Sequence, residues 1–208
     1  MPVFNNQLAG AAGQTGGAAA EYVIPKSLRF NSGDSSDLRR TPSAASNTKT
    51  FTLSAWLKRG TLGSYQRFFG TFDGSNQEYL RFENNDTLRL FETFATLKTD
   101  QVFRDCSSFY HIVVSVDSTQ ATASNRIKLY VNGSQVTSFS TATYPSQNAT
   151  CRFNTTATHY IGSASVEHFN GLIADIQFID GQQLAPTDFG ETRSSDGVWV
   201  PKEFAGSY

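Results

Sequence analysis

From Ser27 onward the chain is a series of short runs in which apolar and polar residues alternate, each closed by a tight-turn signal. FTLSAWLK (51–58) sets Phe51, Leu53, Ala55 and Leu57 against Thr52, Ser54, Trp56 and Lys58. A period of two is that of a half-buried strand. SLRF (27–30) is followed by Gly33-Asp34, RFFGTF (67–72) ends at Asp73-Gly74, and YLRF (79–82) and TLRLF (87–91) flank Asn84-Asn85-Asp86. The sharpest instance is IKLYVNGSQVTSF (127–139), where Ile127, Leu129 and Val131 share one face and Lys128 and Tyr130 the other. Asn132-Gly133 between the two runs accepts positive φ at both central positions, which a type I′ hairpin requires. SFYHIVVSV (108–116) is the most apolar run and reads as a central strand; THYIGS (158–163) follows the hairpin. FNGLIADIQFI (169–179) sets Leu172, Ala174, Ile176 and Phe178 on one face before Asp180-Gly181, and only LAPTDFGE (184–191) suggests a helical turn. About ten such strands without a long repeat describe an all-β, antiparallel β-sandwich of the jelly-roll kind.

The 208 residues suffice for one large domain of this class. Phe is abundant (17 against 1 Met) and the charged fraction is only 17%, with Ser, Thr and Asn carrying much of the polarity. A net charge of −1 gives no electrostatic case for nucleic acid. No apolar stretch approaches the length needed to cross a membrane. Cys106 and Cys151 lie in no CxxC or Cys/His cluster, so zinc is not indicated. They could form one bridge or stay free; with no Cα separation to support a bridge, free thiols are the expectation. Residues 1–20 carry no charge and half of them are Ala or Gly. They lack the basic start and continuous apolar stretch of a secretory signal. Such a segment has little side-chain surface to bury and gains order only against another chain. The expected organisation is therefore an anchoring arm over 1–26 and a sandwich over 27–208.

Several segments together carry a resemblance: SLRFNSGDSSDL, FTLSAWLKRG, FYHIVVSVD, RIKLYVNGSQV, HYIGS and FNGLIADIQFIDGQQL. In this order they resemble the laminin-G-like branch of the concanavalin A-like lectin/glucanase superfamily. That branch has a Trp-containing strand (here Trp56), a following strand with Tyr110-His111, an "lYvNG" ribbon, and a "G-x-I-x-D-I-x-F" strand (here Gly171 to Phe178). The likeness spans roughly residues 27–190. More narrowly, RTPSAASN, RGTLGSYQ, FIDGQQLAPTDFGE and the closing VWVPKEFAGSY are similar to structural proteins of marine tailed bacteriophages. Those proteins often continue past the closing segment, so a short or processed member is expected. Cys106 and Cys151 stand where that family has Pro or small polar residues.

The resemblance implies a non-enzymatic virion structural protein. Its arm (1–26) would dock on capsid or tail subunits, and its sandwich would be displayed on the particle, in a homo-oligomer and in contact with host surface glycans. A carbohydrate-binding receptor-recognition module, as in a tail fibre, is the alternative, and a glycan hydrolase is a weaker one. Lectin-fold glucanases need two carboxylates flanking the bond, from an E-x-D-x-x-E strand. The nearest match here, Asp175 and Asp180 in ADIQFID, has an odd spacing that on a regular strand puts the two on opposite faces. His111, His159 and His168 form no metal or triad motif, and His111 reads as a core-boundary residue. Calcium is the cation that such loops could hold, with Asp73 and Glu78, or Asp34 and Asp37, as carboxylate pairs. Each pair is equally what an ordinary turn contains, and the turn is the preferred reading. Tyr65, Tyr79, Tyr144 and Phe153, in or near loops, are the candidate aromatic platforms for a sugar.

Overall fold

The computed structural model describes residues 22–208, so most of the expected arm lies outside the described residues. Two antiparallel sheets face each other. One has six strands in the spatial order β1 (Ser27–Phe30), β13 (Gly171–Asp180), β3 (Thr50–Arg59), β8 (Tyr110–Asp117), β9 (Ile127–Val131) and β10 (Ser134–Gln135). The other has seven: β11 (Phe139–Thr143), β7 (Thr96–Val102), β6 (Thr87–Leu90), β5 (Gln77–Phe82), β4 (Gln66–Phe72), β12 (Thr158–Ile161) and β2 (Leu38–Arg40). β14 (Gly190–Thr192) and β15 (Trp199–Pro201) form a separate two-stranded ribbon. LAPTDFGE contributes one 3-10 turn, Pro186–Asp188. Among the described residues no helix is long and apolar enough to cross a membrane.

The alternation read from the sequence builds the core. Phe51, Leu53, Ala55 and Leu57 of β3 meet Leu80 and Phe82 of β5, Leu88 and Leu90 of β6 and Leu97 of β7, all at most 1% exposed. Phe153 packs edge-on against Phe51 and Phe69, with centroids 5.8 and 5.0 Å apart. β8, the most apolar run, lies between β3 and β9 and is buried on both faces. Its second face is covered by the segment after β13: Val113 and Ile179 pack with Phe189, Leu184 and Phe204. Asn132 and Gly133 have φ of 48° and 79°, as a type I′ turn requires.

Two sequence expectations change. β13 carries a β-bulge between Ala174 and Gln177, where three steps on one strand oppose two on β3. The extra residue switches parity. Ile173 pairs with Leu57 and Phe178 with Leu53, so these two face the core, whereas Leu172 and Ala174 pair with Lys58 and Trp56 on the outer side. Leu172, Ala174, Ile176 and Phe178 therefore do not share a face. The second run of the hairpin is also cut short. Only Ser134 and Gln135 pair with β9, and the chain then crosses to the edge of the other sheet as β11. Both cysteines are free: Cys151 is buried and Cys106 half-buried.

Candidate functional site

The outer face of the seven-stranded sheet carries a dense cluster of arginine, tyrosine and glutamate side chains. Its origin is again period two. In QEYLRF of β5, Glu78, Leu80 and Phe82 point inward, which leaves Tyr79 and Arg81 outside. Register then places Arg67 of β4 and Arg89 of β6 beside Arg81, and Lys98 of β7 beside Arg89. The three guanidinium groups surround the Tyr79 ring, with their carbons 4.2 Å (Arg67), 4.6 Å (Arg81) and 5.7 Å (Arg89) from its centroid. Arg81 also lies 4.4 Å from the Tyr65 ring, and on the neighbouring edge Arg39 lies 5.3 Å from Tyr160. Guanidinium over an aromatic face is attractive through the ring quadrupole, and it lets Arg81 bridge the Tyr79 and Tyr65 rings in one layer.

Carboxylates compensate these charges one by one. Glu167 Oε2 accepts from Arg67 Nε at 2.6 Å and Arg81 Nη1 at 2.9 Å. Glu83 accepts from Arg81 Nε at 2.5 Å, and Glu92 accepts from Arg89 Nη2 at 2.5 Å and from the Tyr79 hydroxyl. Burial, reinforced by that bond to Glu92, pushes the Tyr79 phenol up, so it stays a donor. Exposure rises outward, from 4% for the Arg67 side chain to 22% for Arg89 and 34% for Glu92. Tyr65, at 40%, is the exposed aromatic at the rim. Farther along, Tyr160, Phe72, Thr158, Asp73 and Arg152 border an open dish of about 540 Å³.

The sequence candidates are spread unevenly over this surface. Tyr65 and Tyr79 belong to it, although Tyr79 is only 2% exposed and supports the layer from beneath. Tyr144 packs against the core. Phe153 is a correction: it is fully buried among core rings and presents no face to a sugar. Asp73 Oδ1 accepts the backbone N–H groups of Ser75 and Asn76, and Oδ2 pairs with Arg152; the two backbone bonds hold its carboxyl below the usual range. Glu78 lies inside the sheet, and its oxygens accept the N–H groups of Glu92, Thr93 and Phe94 and the Thr93 hydroxyl. Donors of this kind answer a carboxylate the way a cation would. The other pair, Asp34 and Asp37, is divided likewise between Asn31 and Arg39. No cluster of three or more His, Cys, Asp or Glu placed to hold a metal occurs among the described residues.

A Ser–His contact, Ser54 Oγ to His111 Nε2 at 2.8 Å, has the look of a catalytic pair. The Trp199 indole N–H donates to His111 Nδ1 at 2.9 Å, which puts the imidazole proton on Nε2 and makes His111 the donor to Ser54. Burial pulls this imidazole down to about 3. It is a structural histidine, stacked on Trp56 at 4.6 Å. Asp175 and Asp180 do separate work. Asp175 sits in the bulge at φ 43° beside Gln177, and burial raises its carboxyl. Asp180 Oδ1 accepts from the Asn47 N–H at 3.2 Å and from Asn154 Nδ2 at 2.8 Å. Sequence reasoning passed over Arg67, Arg81, Arg89 and Glu167. The three arginines were legible as the polar partners in QRFF, YLRF and TLRL; Glu167, on a loop, was not.

Residues 32–186 match the Laminin_G_3 family of the concanavalin A-like lectin/glucanases superfamily. No curated protein sequence matches the chain. Among solved structures, the enzymatically active domain of tailspike protein 2 of bacteriophage CBA120 superposes with a TM-score of 0.51 at 14% identity, over 78% of this chain and 26% of that one. Domain 4 of the extracellular arabinanase AbnA of Geobacillus stearothermophilus, in complex with arabinotriose, gives 0.49 at 16% identity, over 66% of this chain and 64% of that one. A sialidase of Trypanosoma rangeli gives 0.49 at 17%, over 67% and 22%. The chain thus spans less than two thirds of each of these proteins, and at such identities the likeness is one of fold. By its sequence match over 32–186, and by its two-sheet architecture, the chain belongs to the Laminin_G_3 family of the concanavalin A-like lectin/glucanases superfamily.

Proposed function

We propose that this protein is a non-enzymatic recognition and display module of a phage particle. Its seven-stranded sheet faces outward and contacts surface glycans of the host, and residues 1–26 attach it to other virion proteins. The observation that carries the recognition reading is the compensated Tyr–Arg layer. Glu83, Glu92 and Glu167 are each bound to a guanidinium, so the face offers the exposed Tyr65 ring, the partly exposed Arg89 guanidinium and hydrogen-bond donors, with these three carboxylates already engaged. Sugar rings, with apolar faces and hydroxyl edges, suit such a surface. A glycan hydrolase needs two carboxyl groups across one bond, one of them raised. The Asp175 carboxyl is raised by burial, but it lies on β13 of the opposite sheet, away from this face.

The particle role rests on the resemblance of RTPSAASN, FIDGQQLAPTDFGE and VWVPKEFAGSY to phage structural proteins, and on the uncharged Gly/Ala-rich start. The occurrence of this fold in a phage tailspike is compatible with it. Particles assembled with a chain lacking residues 1–20 test the attachment: the truncated protein should be absent from purified particles. Normal incorporation would contradict it.

A further inference from the structure

The two sheets do not close on each other along one side. β1 pairs with only the first part of β13, Gly171 to Ala174, so beyond the bulge Gln177 to Asp180 have β3 as their one strand neighbour. Opposite, β2 is the last strand of its sheet. Between these two edges, under the loop from Thr41 to Lys49, lies a cleft of about 610 Å³, floored by Phe69, Phe178, Ile161 and Leu38 with Tyr208 at its border. Its size and apolar floor are those of a small-molecule site.

Of the charged and imidazole side chains that line this cleft, all but one are paired within the described residues. His159 accepts the Asn154 N–H at Nε2 (3.1 Å), so its proton is on Nδ1 and is donated to the Ala157 carbonyl at 2.8 Å. Asp180 is taken by Asn47 and Asn154. Arg39 is held by both oxygens of Asp37, at 2.6 and 3.1 Å. Arg40 lines the same cleft and pairs in register with His159, but its guanidinium makes no hydrogen bond or ion pair among the described residues. By strand parity, Leu38 and Arg40 share the side of β2 opposite to Arg39, which is the side turned toward the other sheet. An exposed guanidinium that lines the cleft beside an apolar floor, with no carboxylate bound to it, is free to take an anion. Asp180 keeps an anionic group from the other end of the cleft by like-charge repulsion.

We propose that this edge cleft binds a small amphipathic carboxylate. Its anionic group would meet Arg40, and its apolar body would lie on Phe69, Phe178 and Ile161. The site is separate from the Tyr–Arg face and does not depend on the reading of that face.

trans-Cinnamate and its uncharged amide are suitable probes, titrated into the protein while backbone amide resonances are followed by NMR. The acid should shift Leu38 to Arg40 and Ser43 to Ser46 and bind about tenfold more tightly than the amide. That preference should shrink in high salt and vanish in Arg40→Gln. Arg40 is exposed, so the variant should melt like the parent. Ala44→Trp, which fills the cleft from its exposed rim, should abolish binding of both probes. Equal affinity for acid and amide, a preference that survives Arg40→Gln, or shifts confined to other residues would each overturn the proposal.

Discussion

The indole of Trp199 occupies the space that a side chain on Gly133 would need: a Cβ there would lie 2.5 Å from two of its ring carbons. The hairpin turn is thus the seat of the segment that covers the six-stranded sheet. Asn132 accepts the His111 N–H through its side chain at 2.8 Å and donates its own N–H to the His111 carbonyl, so turn, histidine and Trp199 form one unit. Gly133→Ala should destabilise the protein through two effects, a left-handed φ and a displaced indole. Gly63→Ala is the control, since Gly63 has φ 71° and a Cβ added there would meet nothing within 4 Å. The φ penalty, about 1–2 kcal/mol, is common to both. Urea unfolding should show a larger loss for Gly133→Ala, and equal losses would contradict the contact.

Stability should depend on pH through His111. Its folded imidazole is held down to about 3 by burial, whereas the unfolded one titrates near 6.5. Between those values the unfolded chain binds a proton that the folded chain refuses. The stabilisation is therefore complete above pH 6.5 and is lost as pH falls, by up to about 1.4 kcal/mol per unit. His159, lowered first by burial, adds in the same direction. Unfolding midpoints measured from pH 6.5 to 5, above most carboxylate titrations, should decline, and His111→Gln should flatten the slope. A slope unchanged in that variant would refute the assignment.

Calcium should leave the melt unmoved. The carboxylates of Asp73 and Glu78 already accept backbone N–H groups, which a cation would have to displace. A site with a dissociation constant near 10 µM would add about 2.7 kcal/mol at 1 mM calcium. Thermal scans with 1 mM calcium and with EDTA should coincide. A separation of several degrees would reveal a site.

Phe153→Ala and Tyr65→Ala separate core from surface. Phe153 is fully buried, so its truncation should cost about 3–5 kcal/mol. Tyr65 is 40% exposed and meets Arg81, and its truncation should cost no more than about 1 kcal/mol. Comparable losses in denaturant unfolding would place Phe153 wrongly.

What the sequence revealed and withheld has a physical pattern. Local rules were legible: Asn132-Gly133 announced its turn, and the period of β3 and β5 announced which side chains fill the core. The bulge at Asp175 was hidden because ADIQ keeps an apparent alternation in letters while the backbone inserts a residue. The Tyr–Arg layer joins residues from three strands and the loop bearing Glu167, and strand register cannot be read from single runs. Trp199 was invisible as a partner of His111, 88 residues away.

The central claim is that the outer face of the seven-stranded sheet recognises glycans without cleaving them. The most direct measurement titrates the protein against a panel of bacterial surface oligosaccharides and weighs the sugars afterwards by mass spectrometry, with the Tyr65→Ala/Arg89→Ala double variant alongside. Saturable binding, weakened about tenfold in the variant, with every oligosaccharide mass unchanged, is the predicted result. Shortened products, or binding indifferent to the two substitutions, would contradict it.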